Sequence, residues 1–220
     1  LTEAALERHS DIWDEAVAAG LYVHVTTQQV MDAMSPDAQG LLAVVATEEA
    51  TGSEALAAAL EGARLVAVLT QAQDPGNAGT IIRAADAAGA DAVVLVRGSV
   101  DPTAPKVVRS TAGSLFHLPV VTGVALDDAV TALHNAGLTV LAADGRGDFD
   151  LFEVESLLEA PSAWLLGNEA HGLPPEALSR ADAVVSIPIY GKAESLNVAA
   201  AAAVCLYASA RAQAQNSGRS

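Results

Sequence analysis

The chain reads as an α/β protein built on a mostly parallel sheet, and three features of the sequence predict it. From Arg64 onward, short apolar runs alternate with helix-like segments, the pattern of βαβ units. Runs such as Ala92–Val96 are apolar without interruption, as expected of strands covered by helices on both faces. A polar loop built on Asn, Gly, Glu or Ser then follows a strand-like run three times, at residues 74–79, 167–172 and 190–197. Ligands of open α/β sheets sit at the carboxyl ends of strands, so three such loops predict one composite site.

Residues 3–19 read as a helix with Leu6, Ile12, Trp13 and Val17 as its apolar stripe. A short strand is expected at 22–25. Thr26 or Thr27 then caps a helix through Met34, and a strand at 41–46 follows the turn at Pro36. These pieces describe a small, incomplete α/β domain over residues 1–50. A connecting helix or linker follows at 51–62, with Ser53 as its N-cap. The main domain is expected over 63–212. Its strands fall at 65–69, 92–96, 118–121, 138–142, 163–166 and 184–187, and its helices at 78–88, 104–114, 125–136, 174–181 and 195–211. Residues 213–220 read as a flexible polar tail.

With 220 residues the chain can bury a large core, and 51% hydrophobic but 4% aromatic content makes that core Ala, Val and Leu. No apolar stretch reaches the roughly 20 residues a membrane helix needs. Leu1-Thr2-Glu3 does not open a secretory signal, and the sequence starts on Leu rather than Met, which leaves open whether residues precede it. Cys205 is the single cysteine, which excludes an internal disulfide and predicts a cytoplasmic protein. Net charge is −16, from 27 acidic and 11 basic residues, and argues against a general nucleic-acid binder. Arg83, Arg97, Lys106, Arg109, Arg146 and Lys192 nevertheless gather near the loops, where they can form a local basic patch.

Familiar chemistries drop out. Residues 74–79 do not fit a dinucleotide fingerprint, and Gly145-Arg146-Gly147 lacks the third glycine. Gly191-Lys192 lacks the upstream glycine of a phosphate loop. His9, His24, His117, His134 and His171 show no ligand spacing with each other or with Cys205, so no metal is expected. No nucleophile elbow is present.

The loops themselves admit two readings. In the first, Pro75 and Gly76 make a turn, Asn77 caps a helix, Gly79 allows close approach, and Arg83 follows about one turn into the helix. The alternative is a turn, a cap and a solvated arginine. In the second, Glu169 and His171 open a segment and can simply be solvated. The third is more demanding: Ser195 and Asn197 precede Val198-Ala199-Ala200-Ala201-Ala202-Ala203-Val204, apolar around most of a helix, so burial is expected and its N-terminal N–H groups need partners.

Taken in order, three motifs resemble the SpoU/TrmH branch of the SPOUT RNA methyltransferases. They are Asp74-Pro75-Gly76-Asn77-Ala78-Gly79-Thr80-Ile81-Ile82-Arg83, Leu166-Gly167-Asn168-Glu169-Ala170-His171-Gly172, and Ile187-Pro188-Ile189 with Glu194-Ser195-Leu196-Asn197-Val198. Residues 106–116 resemble the family's middle helix, although Thr111, like Ala199, stands where many relatives have Ser. The resemblance covers residues 64–211 and implies a parallel α/β sheet whose C-terminal segment forms a deep trefoil knot. It implies S-adenosylmethionine as cofactor, held by Ala142, Ala143, Asp144, Gly145, Gly167, Asn168, Ile187, Ile189, Ser195, Leu196 and Asn197. It implies catalytic roles for Arg83, Asn77, Glu169, Ser195 and Asn197, and a homodimer whose subunits complete each site.

The activity so implied is methylation of a ribose 2′-hydroxyl, with large-subunit rRNA ranked ahead of tRNA as the partner and an antibiotic-resistance methylase as a narrower case. RNA contacts are expected at Arg83, Arg97, Lys106, Arg109 and Arg146, and the N-terminal block resembles the latter part of the family's RNA-binding domain. A non-catalytic RNA-binding or ribosome-assembly factor and a small-molecule α/β enzyme are the alternatives.

Overall fold

The computed structural model describes residues 1–46, 50–168 and 172–217. Backbone contacts divide the chain into residues 1–48 and 49–220.

In the first unit, the expected helix over 3–19 breaks at His9 into α1 (Glu3–Arg8) and α2 (Ser10–Ala18), followed by α3 (Gln28–Met34). Thr27 caps α3 by accepting from the Val30 N–H. The strands expected at 22–25 and 41–46 do not form: among the described residues of this unit the only β pairing is an isolated bridge between Thr2 and Thr26. An alternating apolar run becomes a strand only when a ladder partner satisfies its backbone. Without one, Tyr22 and Val44 stay 89% and 91% exposed.

The second unit is the α/β body. Its strands are β1 (Leu65–Leu69), β2 (Ala92–Val96), β3 (Val120–Val124), β4 (Thr139–Ala143), β5 (Phe149–Asp150), β6 (Ser162–Leu166) and β7 (Ala183–Ser186). They form a seven-stranded sheet in the order β3-β2-β1-β6-β4-β7-β5, and each pairing is parallel. The two-residue β5 lies below the length at which a periodic signal is readable.

Strand alternation sorts side chains into two apolar layers. Leu65, Ala67 and Leu69 face one layer and Val66 and Val68 the other. On the first layer lie α5 (Pro75–Ala87), α6 (Pro105–Thr111), α8 (Glu155–Glu159) and α10 (Val198–Ser217). On the second lie α4 (Gly52–Ala59), α7 (Leu126–Asn135) and α9 (Pro175–Arg180). The segment expected as a connecting helix or linker supplies α4, whose N-cap is Thr51 rather than Ser53; it buries Leu56 and packs on β3 and α7.

Of the tail expected over 213–220, residues 213–217 instead end α10, and 218–220 lie outside the described residues. Gln213 is buried, and its Nε2 donates to the carbonyls of Arg64 at 3.1 Å and Ala160 at 3.0 Å. Four residues earlier, the fully buried Ser209 accepts from Trp164 Nε1 at 2.9 Å. These contacts fix α10 to β6 and to the residues that lead into β1 and β6. The remaining cysteine, Cys205, is sealed under the same helix, and burial pushes its thiol up to about 12, leaving it unreactive.

The approach of α5 to α6 depends on Gly79. A Cβ there would overlap Ser110 Oγ and lie 2.7 Å from the Val107 carbonyl oxygen. Next to this contact, hydrogen bonds from Ser114 and then His117 hold the Asp86 carboxyl below its usual range. A depressed carboxyl stabilises the fold above its unfolded pKa, and that contribution disappears as pH falls through the folded value.

Ser209→Ala leaves the buried indole N–H of Trp164 without its partner and is expected to cost about 1–3 kcal/mol. Gly79→Ala overpacks the α5–α6 contact and is expected to cost about as much. Urea midpoints of the two variants against the parent measure both; no shift in either would contradict the packing described.

Candidate active-site cleft

Parallel strands bring their outgoing loops to one edge. Three contiguous strands, β6, β4 and β7, end there beside the N-terminus of α10. Between them lies a cleft of about 740 Å³, within the range of small-molecule sites. Ala143, Asp144 and Gly145 come from the end of β4, Gly167 and Asn168 from the end of β6. Segments 185–189 and 194–198, with Ala201 of α10, close the remaining side.

Two glycines bring the backbone close enough to form this wall. At Gly167 a Cβ would overlap the Gly172 backbone and lie 2.6 Å from the Leu173 N. At Gly147 it would lie 2.6 Å from the Val184 carbonyl oxygen. Asn168 and Gly172 form an antiparallel bridge, with N···O distances of 3.0 and 2.8 Å, that closes the base of their loop. Asp144 turns the β4 exit by accepting from the Arg146 backbone N–H at 2.9 Å and its Nε at 3.3 Å. Its side chain is only 10% exposed, whereas that of Arg146 is 84% exposed.

Every residue expected to hold a cofactor lines the cleft except Ala142. Ala142 is fully buried in the layer on the other side of the sheet, since strand alternation turns it away from its neighbour Ala143. Sequence reasoning did not assign a role to Val185, Ser186 or Ala201, all of which also line it. For Ala201 the signal was present: it sits four residues after Asn197, one turn further along the same helix face.

The first loop contributes differently from its expected form. Asp74, not Asn77, is the N-cap of α5: its carboxylate accepts from the Asn77 N–H at 2.8 Å, with Pro75 at the first helical position. The helix consequently starts at Pro75, and Arg83 lies two turns in, beyond the reach of the terminal dipole. Arg83 is exposed and does not line the cleft; among the described residues it makes no hydrogen bond or ion pair. Asn77 reaches the cleft wall indirectly, its Oδ1 accepting from Asn197 Nδ2 at 3.1 Å. Asn197 in turn caps α10, accepting from the N–H groups of Ala199 at 2.9 Å and Ala200 at 3.3 Å. Ser195 is exposed on the wall. Glu169 and His171 lie outside the described residues.

A second tie joins the first loop to the end of β6. Asn168 Nδ2 donates to the Gln71 carbonyl at 2.9 Å. Gln71 has φ 56°, a left-handed conformation uncommon for a residue with a side chain. Of the basic residues expected to meet RNA, Arg97 follows β2 and donates to the Gly123 carbonyl at 3.2 Å, and Lys106 and Arg109 are exposed on α6.

A parallel α/β body with its cleft at the carboxyl edge, walled by the glycine loops and a small-residue helix, defines a class of ligand-binding α/β proteins. Comparison with known proteins gives the family. Residues 64–207 match the SpoU rRNA Methylase family, and the chain belongs to it. It is 42% identical over 151 residues to the 23S rRNA (guanosine(2553)-2'-O)-methyltransferase RlmP of Bacillus subtilis, covering 67% of this chain and 58% of that one. It is 41% identical over 142 residues to the 23S rRNA (uridine(2479)-2'-O)-methyltransferase of Streptomyces viridochromogenes, covering 62% and 49%. The chain thus spans about half to three-fifths of these curated relatives. Among solved structures it resembles an rRNA methyltransferase from Sinorhizobium meliloti, with TM-score 0.79 and 30% identity over 96% of this chain and 78% of that one. It also resembles an AdoMet-bound rRNA methyltransferase from Sinorhizobium meliloti, with TM-score 0.76 and 30% identity over 96% of this chain and 78% of that one.

Gly167→Ala is expected to force the Asn168–Gly172 bridge apart and cost about 1–3 kcal/mol. Thermal unfolding of the variant checks this, and an unchanged midpoint would mean the loop accommodates a methyl group.

Proposed function

We propose that this protein is an S-adenosylmethionine-dependent RNA methyltransferase acting on a ribose 2′-hydroxyl, with large-subunit rRNA as its substrate. The observation that carries this reading is the cleft itself: the second and third motifs form much of its wall, and the first is tied to it through the bond between Asn77 and Asn197. Its lining suits a nucleoside joined to an amino acid. Apolar Ile187 and Leu196 offer surface to a ring, while backbone groups at Gly145 and Gly167 offer polar partners.

Bound there, S-adenosylmethionine supplies an electrophilic methyl group. The chain's own part is positioning and charge. Arg83 orients the ribose and a neighbouring phosphate and stabilises negative charge on the 2′-oxygen as its proton leaves. A guanidinium is too weak a base to take that proton itself. Because Arg83 stands outside the cleft of its own chain, the complete site in this reading includes a second copy, with the exposed side of α10 around Ala200 and Tyr207 available for pairing. The same reading includes the trefoil knot through the C-terminal segment, an RNA-binding role for residues 1–50, and catalytic contributions from Glu169 and Ser195.

Calorimetry with S-adenosylmethionine, alongside 2′-O-methylation assays on rRNA and tRNA, tests the proposal. Saturable cofactor binding without methylation of either RNA would favour a non-catalytic factor; no cofactor binding would remove the reading. Arg83→Ala is expected to lower methyl transfer at saturating RNA and cofactor by about 10²–10³-fold, while cofactor affinity stays near the parent value.

The basic residues have their own test. Neutralising Arg97, Lys106, Arg109 or Arg146 is expected to weaken RNA binding and reduce the slope of log affinity against log salt by about one per charge removed. Parent-like affinity and slope in all four variants would place the RNA elsewhere.

A further inference from the structure

Asn77 is counted among the catalytic residues by the family resemblance, yet it does not line the cleft. Its hydrogen bonds describe another task. Asn197 Oδ1 accepts from the backbone N–H groups of Ala199 and Ala200. Backbone N–H groups only donate, so this end of the Asn197 amide must be its oxygen. The other end is then an NH₂ group, which only donates, and the atom 3.1 Å from it must be the Asn77 oxygen. The backbone of α10 therefore fixes the orientation of both amides.

The chain of contacts continues. The Asn77 N–H donates to Asp74, the cap of α5, so one line of hydrogen bonds joins the first turn of α5 to the first turn of α10. The two helices also pack against each other in the same apolar layer. Segment 194–197, which this line holds at its Asn197 end, is cleft wall.

We propose that Asn77 is a positioning residue: it acts on the cleft through Asn197, keeping that amide turned so that it caps α10 and holds segment 194–197 in the wall. The consequence for function rests on the reading that the cleft takes S-adenosylmethionine. Toward Asn197, Asn77 needs to present an acceptor, and an aspartate meets that need at this contact. A carboxylate at the third position of α5 is also favoured by the helix dipole.

The test compares Asn77→Ala and Asn77→Asp with the parent, using amide hydrogen exchange at Ala199 and Ala200 without ligand, then calorimetry with S-adenosylmethionine. Asn77→Ala is expected to speed exchange at both amides and weaken cofactor binding by about three- to tenfold. In methylation assays its loss should lie in KM for the cofactor more than in kcat. Asn77→Asp is expected to keep parent-like exchange at both amides. Unchanged exchange in Asn77→Ala, or a loss carried by kcat alone, overturns the proposal. Should Asn77→Ala fail to fold, Asn77→Asp decides: accelerated exchange at Ala199 and Ala200 despite a retained acceptor overturns it. If the parent binds no S-adenosylmethionine, the functional reading falls while the exchange experiment still judges the link between Asn77 and Asn197.

Discussion

Helix α10 is held at both ends of the sheet, and the cleft depends on that. Near its C-terminus, Gln213 bonds to carbonyls just before β1 and β6, and Ser209 to Trp164 in the middle of β6. At its N-terminus, Asn197 caps it beside the ends of β4, β6 and β7. Sixteen residues separate Asn197 from Gln213, about 24 Å of helix at 1.5 Å per residue, enough to cross five-residue strands with margin. A helix fixed at one end could slide along its Ala-rich face, because small side chains supply little interlocking. Polar anchors at both ends set the register that the alanines leave open.

The parallel sheet supplies the other constraint. With every pairing parallel, loops leaving β1, β4, β6 and β7 emerge at one edge whatever their sequence. Sequence then decides how tightly they crowd. Gly147 and Gly167 let backbones meet where a methyl group would not fit, and Asn168 and Asn197 join the first loop to its neighbours. Gln71 remains in a left-handed conformation because Asn168 engages its carbonyl and the Thr70 N–H is bonded to the Leu166 carbonyl. The loops thus form one connected rim.

Much of this was legible in the residues because the relevant signals were local. Five-residue apolar runs at 65–69 and 92–96 became strands with those bounds, since a strand buried on both faces has little alternative. That the start of α10 needs partners for its N–H groups was legible too, although Ser195 and Asn197 both qualified and the helix starts at Val198 rather than 195. Elsewhere local signals were degenerate. Asp74 and Asn77 can each cap, and Pro75 can open a turn or a helix; the sequence does not rank these. Residues 22–25 and 41–46 carry strand-like patterns, but pairing is a property of neighbours and they have none along their length. Gln213 looks like tail polarity until the Arg64 and Ala160 carbonyls stand beside it. The face of a residue such as Ala142 depends on strand phase, which a motif does not encode. Contacts distant in sequence are where the reading stopped.

The same distinction bears on charge. A net charge of −16 argues against a general nucleic-acid binder, yet several of the carboxylates also serve the backbone. Asp91 accepts from the N–H groups of Arg64 and Leu65, and Asp182 from that of Val140. Asp74, Asp101, Asp144 and Asp150 accept from N–H groups two or three residues ahead. Parallel sheets leave unpaired N–H groups at strand starts and loop turns, and aspartate is short enough to reach them. These side chains are acidic for the sake of the fold. A carboxylate bonded to a neutral N–H keeps its charge, so the total stands, and what matters is its distribution: Arg97, Lys106, Arg109 and Arg146 are exposed. Local basic charge on an acidic body favours docking where it lies and disfavours binding elsewhere. Net charge, read alone, conceals that selectivity.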